Sequence, residues 1–262
     1  MRYRSYRRLL HSIDNHGVNG TVLRAVDKLF GKEGRNEIRN RPAALVHPFD
    51  VQHGVDTSGY LPGEQLRSGS SADLYNTAYY GIAPSALTQA LWLLPSGVDT
   101  YTFLDLGCGK GRALLVAAQF PFRQIEGIEL SPELCRIATE NVDADPRITV
   151  RQGDATDLGF PPTPLLVYLY HPFLAPALRK MLTNLECSFK QQPREIYLLR
   201  ANPVYPKMMR SFRFLQPVWD YSFPLSEEDA AADRHGIRFE RFTLLCARPS
   251  SHVAQAGEQA SQ

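Results

Sequence analysis

The sequence predicts an α/β protein with a doubly wound, mostly parallel sheet, an antiparallel last strand and an N-terminal helical or irregular extension. Between residues 100 and 200, short apolar strands alternate with amphipathic helices, which is typical of right-handed βαβ units in a sheet covered on both faces. The strands are YTFLDL, QIEGIEL, RITVRQG, PLLVYLY and EIYLLRA, and the helices include ELCRIATENV and LAPALRKMLTNLECSF. Near the end, FRFLQPVWDYSF and IRFERFTLLCAR are two further strands with only a polar loop, PLSEEDAAADRHG, between them, so we expect them to pair antiparallel.

Four segments are predicted along the chain. Residues 1–40 form a basic helical extension with nine Lys or Arg against four Asp or Glu, and TVLRAVDKLFGKEG predicts a helix that ends at Gly31. Residues 41–98 form a cap on the substrate side, expected to be irregular up to residue 82, and then a lead-in helix from Pro84. Residues 99–249 form the main domain, and the polar tail 250–262 is expected to be disordered.

The composition is that of an ordinary globular protein, with 44% hydrophobic and 21% charged residues. A net charge of +2 does not favour a nucleic-acid or membrane partner, and no apolar run approaches the length of a bilayer span. The four cysteines, Cys108, Cys135, Cys187 and Cys246, form no C-x-x-C pair. They therefore favour neither a metal site nor a disulfide framework, and they predict a reducing, cytoplasmic location.

Three glycines at alternate positions follow the first strand of the main domain, in FLDLGCGKGRALLVAA. A turn at this place lies at the carboxyl edge of a parallel sheet, where ligands bind in such folds. Gly107, Gly109 and Gly111 allow positive φ and carry no Cβ, so a ligand can lie directly on the turn. The helix that follows offers unpaired N–H groups to a carboxylate or a phosphate.

The spacing of the glycines separates two classes of ligand. Dinucleotide-binding proteins need G-x-G-x-x-G, with the pyrophosphate on the helix end, but here the spacing is G-x-G-x-G and Asp105 precedes it. An acid at that position repels a pyrophosphate and suits a ligand with amino and sulfonium cations. The run DLGCGKG closely resembles the first motif of class I S-adenosylmethionine-dependent methyltransferases, which are Rossmann-like.

Further positions extend the resemblance over about residues 100–250. Glu129, with Leu130 after it, ends the second strand, where this fold places an acid on ribose hydroxyls. Asp154 in RQGDATDL matches the methyltransferase acid that accepts from the adenine amino group, with the Ala155 backbone beside it; alternatively, Asp154 only forms a turn. The resemblance implies S-adenosylmethionine as the cofactor. The implied cofactor-binding residues are Asp105, Gly107, Cys108, Gly109, Gly111, Glu129, Leu130, Asp154 and Ala155.

The run YLYHPF after the fourth strand resembles the N-P-P-[FY] motif of amine-directed methyltransferases, in which an Asn or Asp accepts a hydrogen bond from the substrate amine. Here His171 stands first and one proline is missing. A neutral imidazole can accept such a bond and, with an ordinary pKa of about 6.5, take a proton. We expect His171 to act as the catalytic base, the alternative being a cap for the next helix. The expected substrate-binding residues are Tyr80, Tyr170, Pro172 and Phe173.

A narrower similarity involves GVDTSGYLP and YNTAYYGIAPSAL together with the glycine motif. These segments look like a poorly characterised bacterial group of class I methyltransferases, reminiscent of the small seven-β-strand protein lysine methyltransferases. This similarity implies the reaction class but says little about the substrate. From the YLYHPF loop we expect in-line methyl transfer to a nitrogen, either of a protein side chain or of another amine. Two alternatives stay open: O-methylation of a small molecule, and a cofactor-binding scaffold that has lost catalysis.

The glycine spacing predicts the choice of cofactor. We expect S-adenosylmethionine or S-adenosylhomocysteine to bind with a Kd in the micromolar range, a free energy of about −8 kcal/mol at 1 μM, and NAD not to bind. Isothermal titration calorimetry measures all three. Binding of NAD without binding of either sulfur ligand would reject the resemblance.

Overall fold

The computed structural model describes residues 46–63, 65–75, 77–94, 97–233 and 236–249. The predicted helix that ends at Gly31 and the polar tail lie outside these residues. The strands are β1 (Tyr60–Leu61), β2 (Tyr79–Tyr80), β3 (Thr102–Leu106), β4 (Gln124–Glu129), β5 (Ile148–Gln152), β6 (Leu165–Tyr170), β7 (Ile196–Ala201), β8 (Gln216–Pro224) and β9 (Phe239–Ala247). The α-helices are α1 (Pro48–His53), α2 (Pro84–Trp92), α3 (Arg112–Ala117), α4 (Pro132–Val142), α5 (Ala175–Gln191), α6 (Pro206–Met209) and α7 (Glu227–Ala232).

Seven strands form the central sheet, in the order β5-β4-β3-β6-β7-β9-β8. The pairs among β3 to β7 are parallel, and β9 is antiparallel to both β7 and β8. The order reverses direction at β3, so the turns after β3 and β6 open on opposite sides of a crevice at the carboxyl edge. The predicted fold class is confirmed, and all seven strands predicted for the main domain are present.

The central strands β3, β6 and β7 are buried on both faces because apolar side chains alternate to either side. Phe103 and Tyr168 belong to one apolar cluster, which α2, α3 and α4 cover, while Leu104 and Val167 belong to a second cluster under α5. These neighbours are nearly inaccessible to solvent. Continuous burial explains why the strands are short apolar runs rather than alternating polar and apolar ones.

Two segments are more ordered than the sequence analysis predicted. The loop between β8 and β9 contains α7, whose N-cap is Ser226; its hydroxyl accepts from the Asp229 N–H at 3.1 Å. Three acidic residues in the first turn favour this helix by their interaction with its dipole. In the cap, residues 46–82 contain α1, a 3₁₀ turn at Ser71–Tyr75 and the antiparallel pair of β1 and β2.

Arg112, the first residue of α3, connects the cap to the glycine turn. Its buried guanidinium donates from Nε to the Thr57 hydroxyl at 2.7 Å and from Nη2 to the Thr57 carbonyl at 2.9 Å. The same group lies 3.6 Å from the buried carboxylate of Asp50. Asp50 in turn accepts from the Ser58 hydroxyl at 2.6 Å. Residues 50–58 are therefore held against the start of α3, beside the crevice.

We expect Arg112→Met to destabilise the protein by about 3–5 kcal/mol, because it leaves Asp50 as a buried charge without its partner. Urea unfolding measures the effect. Arg136→Met is the matched control, since Arg136 pairs with Glu140 on the exposed surface of α4, and its loss should cost about 0.5 kcal/mol or less. Equal costs for the two variants would contradict the role given to Arg112.

Candidate active site

A cavity of about 350 Å³ lies at the carboxyl edge of the sheet, between the turns after β3, β4, β5 and β6 and the cap. This volume falls in the range of roughly 300–1,000 Å³ typical of small-molecule sites. The glycine turn and residues 128–130 form one wall, and residues 153–157 form the next together with Tyr170, Pro172 and Phe173. Side chains between residues 66 and 80 cover it from the cap.

Ten of the fourteen residues proposed from the sequence line this cavity. They are Tyr80, Gly107, Gly109, Glu129, Leu130, Asp154, Ala155, Tyr170, Pro172 and Phe173. The structure therefore brings together residues that lie far apart in the sequence. It does not bring Asp105, Cys108, Gly111 or His171 to the cavity wall.

Glu129, at the end of β4, connects two turns. Its Oε2 accepts from the Gly109 N–H at 2.8 Å and its Oε1 accepts from the Ser131 N–H at 2.8 Å. Burial raises the pKa of this carboxyl, and the backbone N–H groups around it limit that rise. Each carboxylate oxygen has a second lone pair, so Glu129 can still accept hydrogen bonds from a ligand in the cavity.

Asp105 occupies the middle of the sheet rather than the cavity wall. It is paired in register with Gly127 on β4 and Tyr168 on β6, and it is buried. Burial, and then the negative charge of Glu129, raises its pKa well above the ordinary value. The sequence analysis placed Asp105 against the cofactor. In the structure Asp105 lies within β3, one residue before its end, and it is not part of the cavity wall. The acid that supports the glycine turn is Glu129.

The protein's own rings cover the glycine turn. Gly107 has φ of 85°, and a Cβ there would lie 2.6 Å from the Pro172 Cβ. Gly109 has φ of 56°, and a Cβ there would overlap with the Tyr79 ring. The absence of side chains therefore serves contacts with the loop after β6 and with the cap, beside the space left for a ligand. Gly111 instead faces Ala138 of α4, where it allows two helices to approach.

Asp154 both forms a turn and lines the cavity. Its Oδ1 accepts from the Thr156 N–H at 2.8 Å, which fixes the loop after β5. Ala155 lies beside it in the cavity wall. The two interpretations of Asp154 in the sequence are therefore compatible.

The His171 side chain lies outside the cavity. Its backbone has φ of 48°, and its ring lies in a separate small space with Arg200 and Asn202, edge-on to Tyr205. Its backbone contacts the cap, since the His171 carbonyl accepts from the Thr77 hydroxyl at 2.9 Å. It is not the N-cap of α5 either, because that position is Leu174. The left-handed backbone at His171 was not predictable from the motif.

Several lining residues were missed in the site prediction. Tyr75 and Tyr79 belong to the tyrosine-rich stretch YNTAYY, of which only Tyr80 was assigned to the site. Asp157 and Lys180 form an ion pair at the edge of the cavity. Lys180 lies on α5, and only the packing of that helix against the loop after β5 brings it there, so no sequence signal identifies it.

Two features are absent from the described part of the chain. No group of three or more His, Cys, Asp or Glu side chains within it could hold a metal ion. No helix within it is both long enough and apolar enough to cross a bilayer.

The sheet order and the crevice with its glycine turn define the class I methyltransferase fold. Residues 103–191 match the family model described as "Methyltransferase domain". Curated relatives named tRNA1(Val) (adenine(37)-N6)-methyltransferase, among them one from Yersinia pestis, are 37% identical over 82 residues. The match covers 29% of this chain and 33% of the relative, so the chain spans about a third of the length of these relatives.

Two solved structures are similar to the chain. The YcgJ protein from Bacillus subtilis is 12% identical, with a TM-score of 0.46, over 63% of this chain and 98% of its own. The N-methyltransferase NodS from Bradyrhizobium japonicum is 13% identical, with a TM-score of 0.46, over 63% of this chain and 96% of its own.

Asp105→Asn tests how much the burial of the Asp105 carboxyl lowers the free energy of unfolding. A raised pKa means that folding favours the protonated form, so the stabilising contribution is complete below the ordinary pKa of 3.8 and is lost as the pH rises. The Asn variant should therefore gain stability relative to the native protein as the pH rises above 3.8. Urea unfolding at several pH values measures the difference. A difference that is constant with pH would contradict this account.

Proposed function

We propose that the protein is an S-adenosylmethionine-dependent methyltransferase that methylates a nitrogen by in-line substitution. The observation that carries the proposal is the convergence of the glycine turn, Glu129 and Asp154 on one cavity. The methyltransferase-domain match over residues 103–191 supports it independently.

The residues of the cavity fit the cofactor. Glu129 offers buried carboxylate oxygens to ribose hydroxyls, and Asp154 with the Ala155 N–H offers an acceptor and a donor to the adenine edge. Ile128, Leu130 and Leu134 add apolar surface for the ring. When bound, S-adenosylmethionine supplies an electrophilic methyl group on a sulfonium.

The protein's own contribution is alignment and the exclusion of water. Tyr170 at the end of β6 and Phe173 from the loop after it line the cavity together with Tyr75 and Tyr80 from the cap. Charge disperses in the transition state of methyl transfer, and a dry, weakly polar cavity favours that change. His171 has no part in this proposal, because its side chain lies in another space.

The acceptor class rests on two arguments. The loop YLYHPF resembles an amine-directed motif. The curated relatives are named for methylation of an adenine N6 nitrogen in tRNA. A nucleobase amine is therefore a second candidate acceptor beside a protein or small-molecule amine. The described part of the chain has no long run of basic residues that would favour binding to a nucleic acid. O-methylation and a catalytically inactive scaffold are the remaining alternatives. We also propose a cytoplasmic location from the cysteine pattern.

Labelled S-adenosylmethionine added to a cell extract with the purified protein tests the proposal. Label in protein, nucleic acid or small molecules identifies the acceptor class, and acid and base stability of the product separates N-methyl from O-methyl groups. Binding of S-adenosylhomocysteine without transfer to any fraction would support the scaffold.

We expect Glu129→Ala to weaken S-adenosylhomocysteine binding by about 2–4 kcal/mol, roughly 30- to 700-fold, because two hydrogen bonds to a charged group are lost. Calorimetry measures the affinity, and circular dichroism checks that the variant is folded. His171→Ala is the control, and its affinity should stay within about threefold of the native value. An unchanged affinity in folded Glu129→Ala would place the ribose elsewhere.

A further inference from the structure

Two tyrosines of the cavity wall lead to two buried carboxylates behind it. The Tyr80 hydroxyl donates to Oδ1 of Asp233 at 2.7 Å. The Tyr170 hydroxyl is a hydrogen-bond partner of the Glu240 carboxylate. Glu240 is only 4% exposed, and its Oε2 has no hydrogen-bond partner among the described residues. A buried carboxylate with an unused oxygen requires an explanation, because most such groups are fully paired.

The sheet topology places Glu240 beside Tyr170. Strand β9 is antiparallel to β7, so its first residues lie at the carboxyl edge, where the cavity opens. Tyr170 on β6 pairs in register with Ala201, and Ala201 pairs with Phe242. Glu240 precedes Phe242 by two positions and therefore lies on the same face of the sheet. This arrangement brings an acid at the start of β9 to Tyr170, behind the cavity wall.

The charges around the pair suit a proton acceptor at neutral pH. Burial, and then the negative charge of Asp233, raises the pKa of Glu240 to about 7, while the Tyr170 hydrogen bond opposes that rise. Burial, and then the charge of Glu240, raises the pKa of Tyr170 well above its ordinary value, and Arg112 opposes that rise. Other charged and titratable groups face the small space behind Tyr80, namely His47, Tyr80, Arg112, Asp229 and Asp233.

Resting on the methyltransferase function above, we propose that Tyr170 and Glu240 remove the proton of a charged aliphatic amine acceptor. The acceptor N–H bond breaks and the proton passes to the Tyr170 oxygen. The Tyr170 O–H bond breaks at the same time and its proton passes to Glu240. The nitrogen lone pair is then free to attack the methyl carbon, Tyr170 stays neutral, and Glu240 later loses its proton to solvent.

The proposal defines the substrate class. An ammonium group must lose a proton before it can be methylated, whereas the amino group of adenine carries no extra proton. Tyr170 is the catalytic residue because it lines the cavity, and Glu240 is a positioning residue that acts through it. The need to remove a proton therefore distinguishes an aliphatic amine acceptor from a nucleobase amine acceptor.

A titration of Glu240 needs no knowledge of the acceptor. In protein labelled with carboxyl-¹³C glutamate, the Glu240 signal is the one missing from Glu240→Gln, and its midpoint should lie at about pH 7. Tyr170→Phe removes a bond to the charged form and should raise the midpoint; Asp233→Asn removes a negative neighbour and should lower it. An ordinary midpoint for Glu240, or shifts in the same direction, would overturn the proposal.

The pH profile of methyl transfer tests the catalytic role. With labelled S-adenosylmethionine and the acceptor fraction of the extract, native turnover should rise with pH through about 7, because Glu240 works in its deprotonated form. Glu240→Gln should lower turnover by about 10²-fold and lose this rising limb. Its affinity for S-adenosylhomocysteine should stay within about threefold.

Glu195→Gln is the matched control. Glu195 also accepts from a tyrosine hydroxyl, that of Tyr101, but it precedes β7 at the opposite edge of the sheet. Its variant should keep the native pH profile. A rising limb that persists in Glu240→Gln, with S-adenosylhomocysteine still bound, overturns the proton route alone; a native protein that binds no S-adenosylhomocysteine overturns the methyltransferase function itself. Label in nucleobases, with none in aliphatic amines, also overturns the proton route.

Discussion

The carboxylate of Glu129 joins two backbone turns that belong to different βα units. One of its oxygens holds the glycine turn after β3 and the other holds the first residue before α4. Without an acid at this position, the N–H groups of both turns would lack a fixed acceptor at the place where the crevice opens. The walls formed by the loop after β6 and by the cap rest on this turn, through Pro172 and Tyr79 respectively. The geometry of the cavity therefore depends on one buried carboxylate.

The main domain was predictable because its central strands β3, β6 and β7 are buried on both faces. Apolar runs of five or six residues between amphipathic helices leave few alternatives to a parallel sheet with right-handed crossovers. Glu129 and Asp154 could be placed in the site for the same reason, since Glu129 ends β4 and Asp154 comes two residues after β5. Their positions depend on the sheet and hardly on the loops.

Residues whose role depends on a loop dihedral or on packing could not be placed. His171 adopts a left-handed backbone that turns its ring away, and nothing in HPF specifies that conformation. Asp105 precedes the glycines as the motif requires. It nevertheless lies within β3, and the cavity wall begins only at Gly107, after that strand has ended. Glu240 is separated from Tyr170 by 70 residues of sequence, and only the antiparallel return of β9 brings them together. Helix α7 was missed because its capping serine was taken for part of a polar loop.

The contact between Tyr79 and Gly109 has a consequence for how such domains diverge. The Tyr79 hydroxyl also donates to the Thr57 carbonyl at 2.6 Å, so the ring has no freedom to move away from the turn. A larger residue at position 109 is compatible only with a smaller one at position 79, and the two positions form a matched pair across the boundary between cap and domain. A cap grafted from another methyltransferase would have to bring its own complement to the glycine turn. Recombination between related chains at breakpoints between residues 80 and 108 should therefore separate this matched pair and fail.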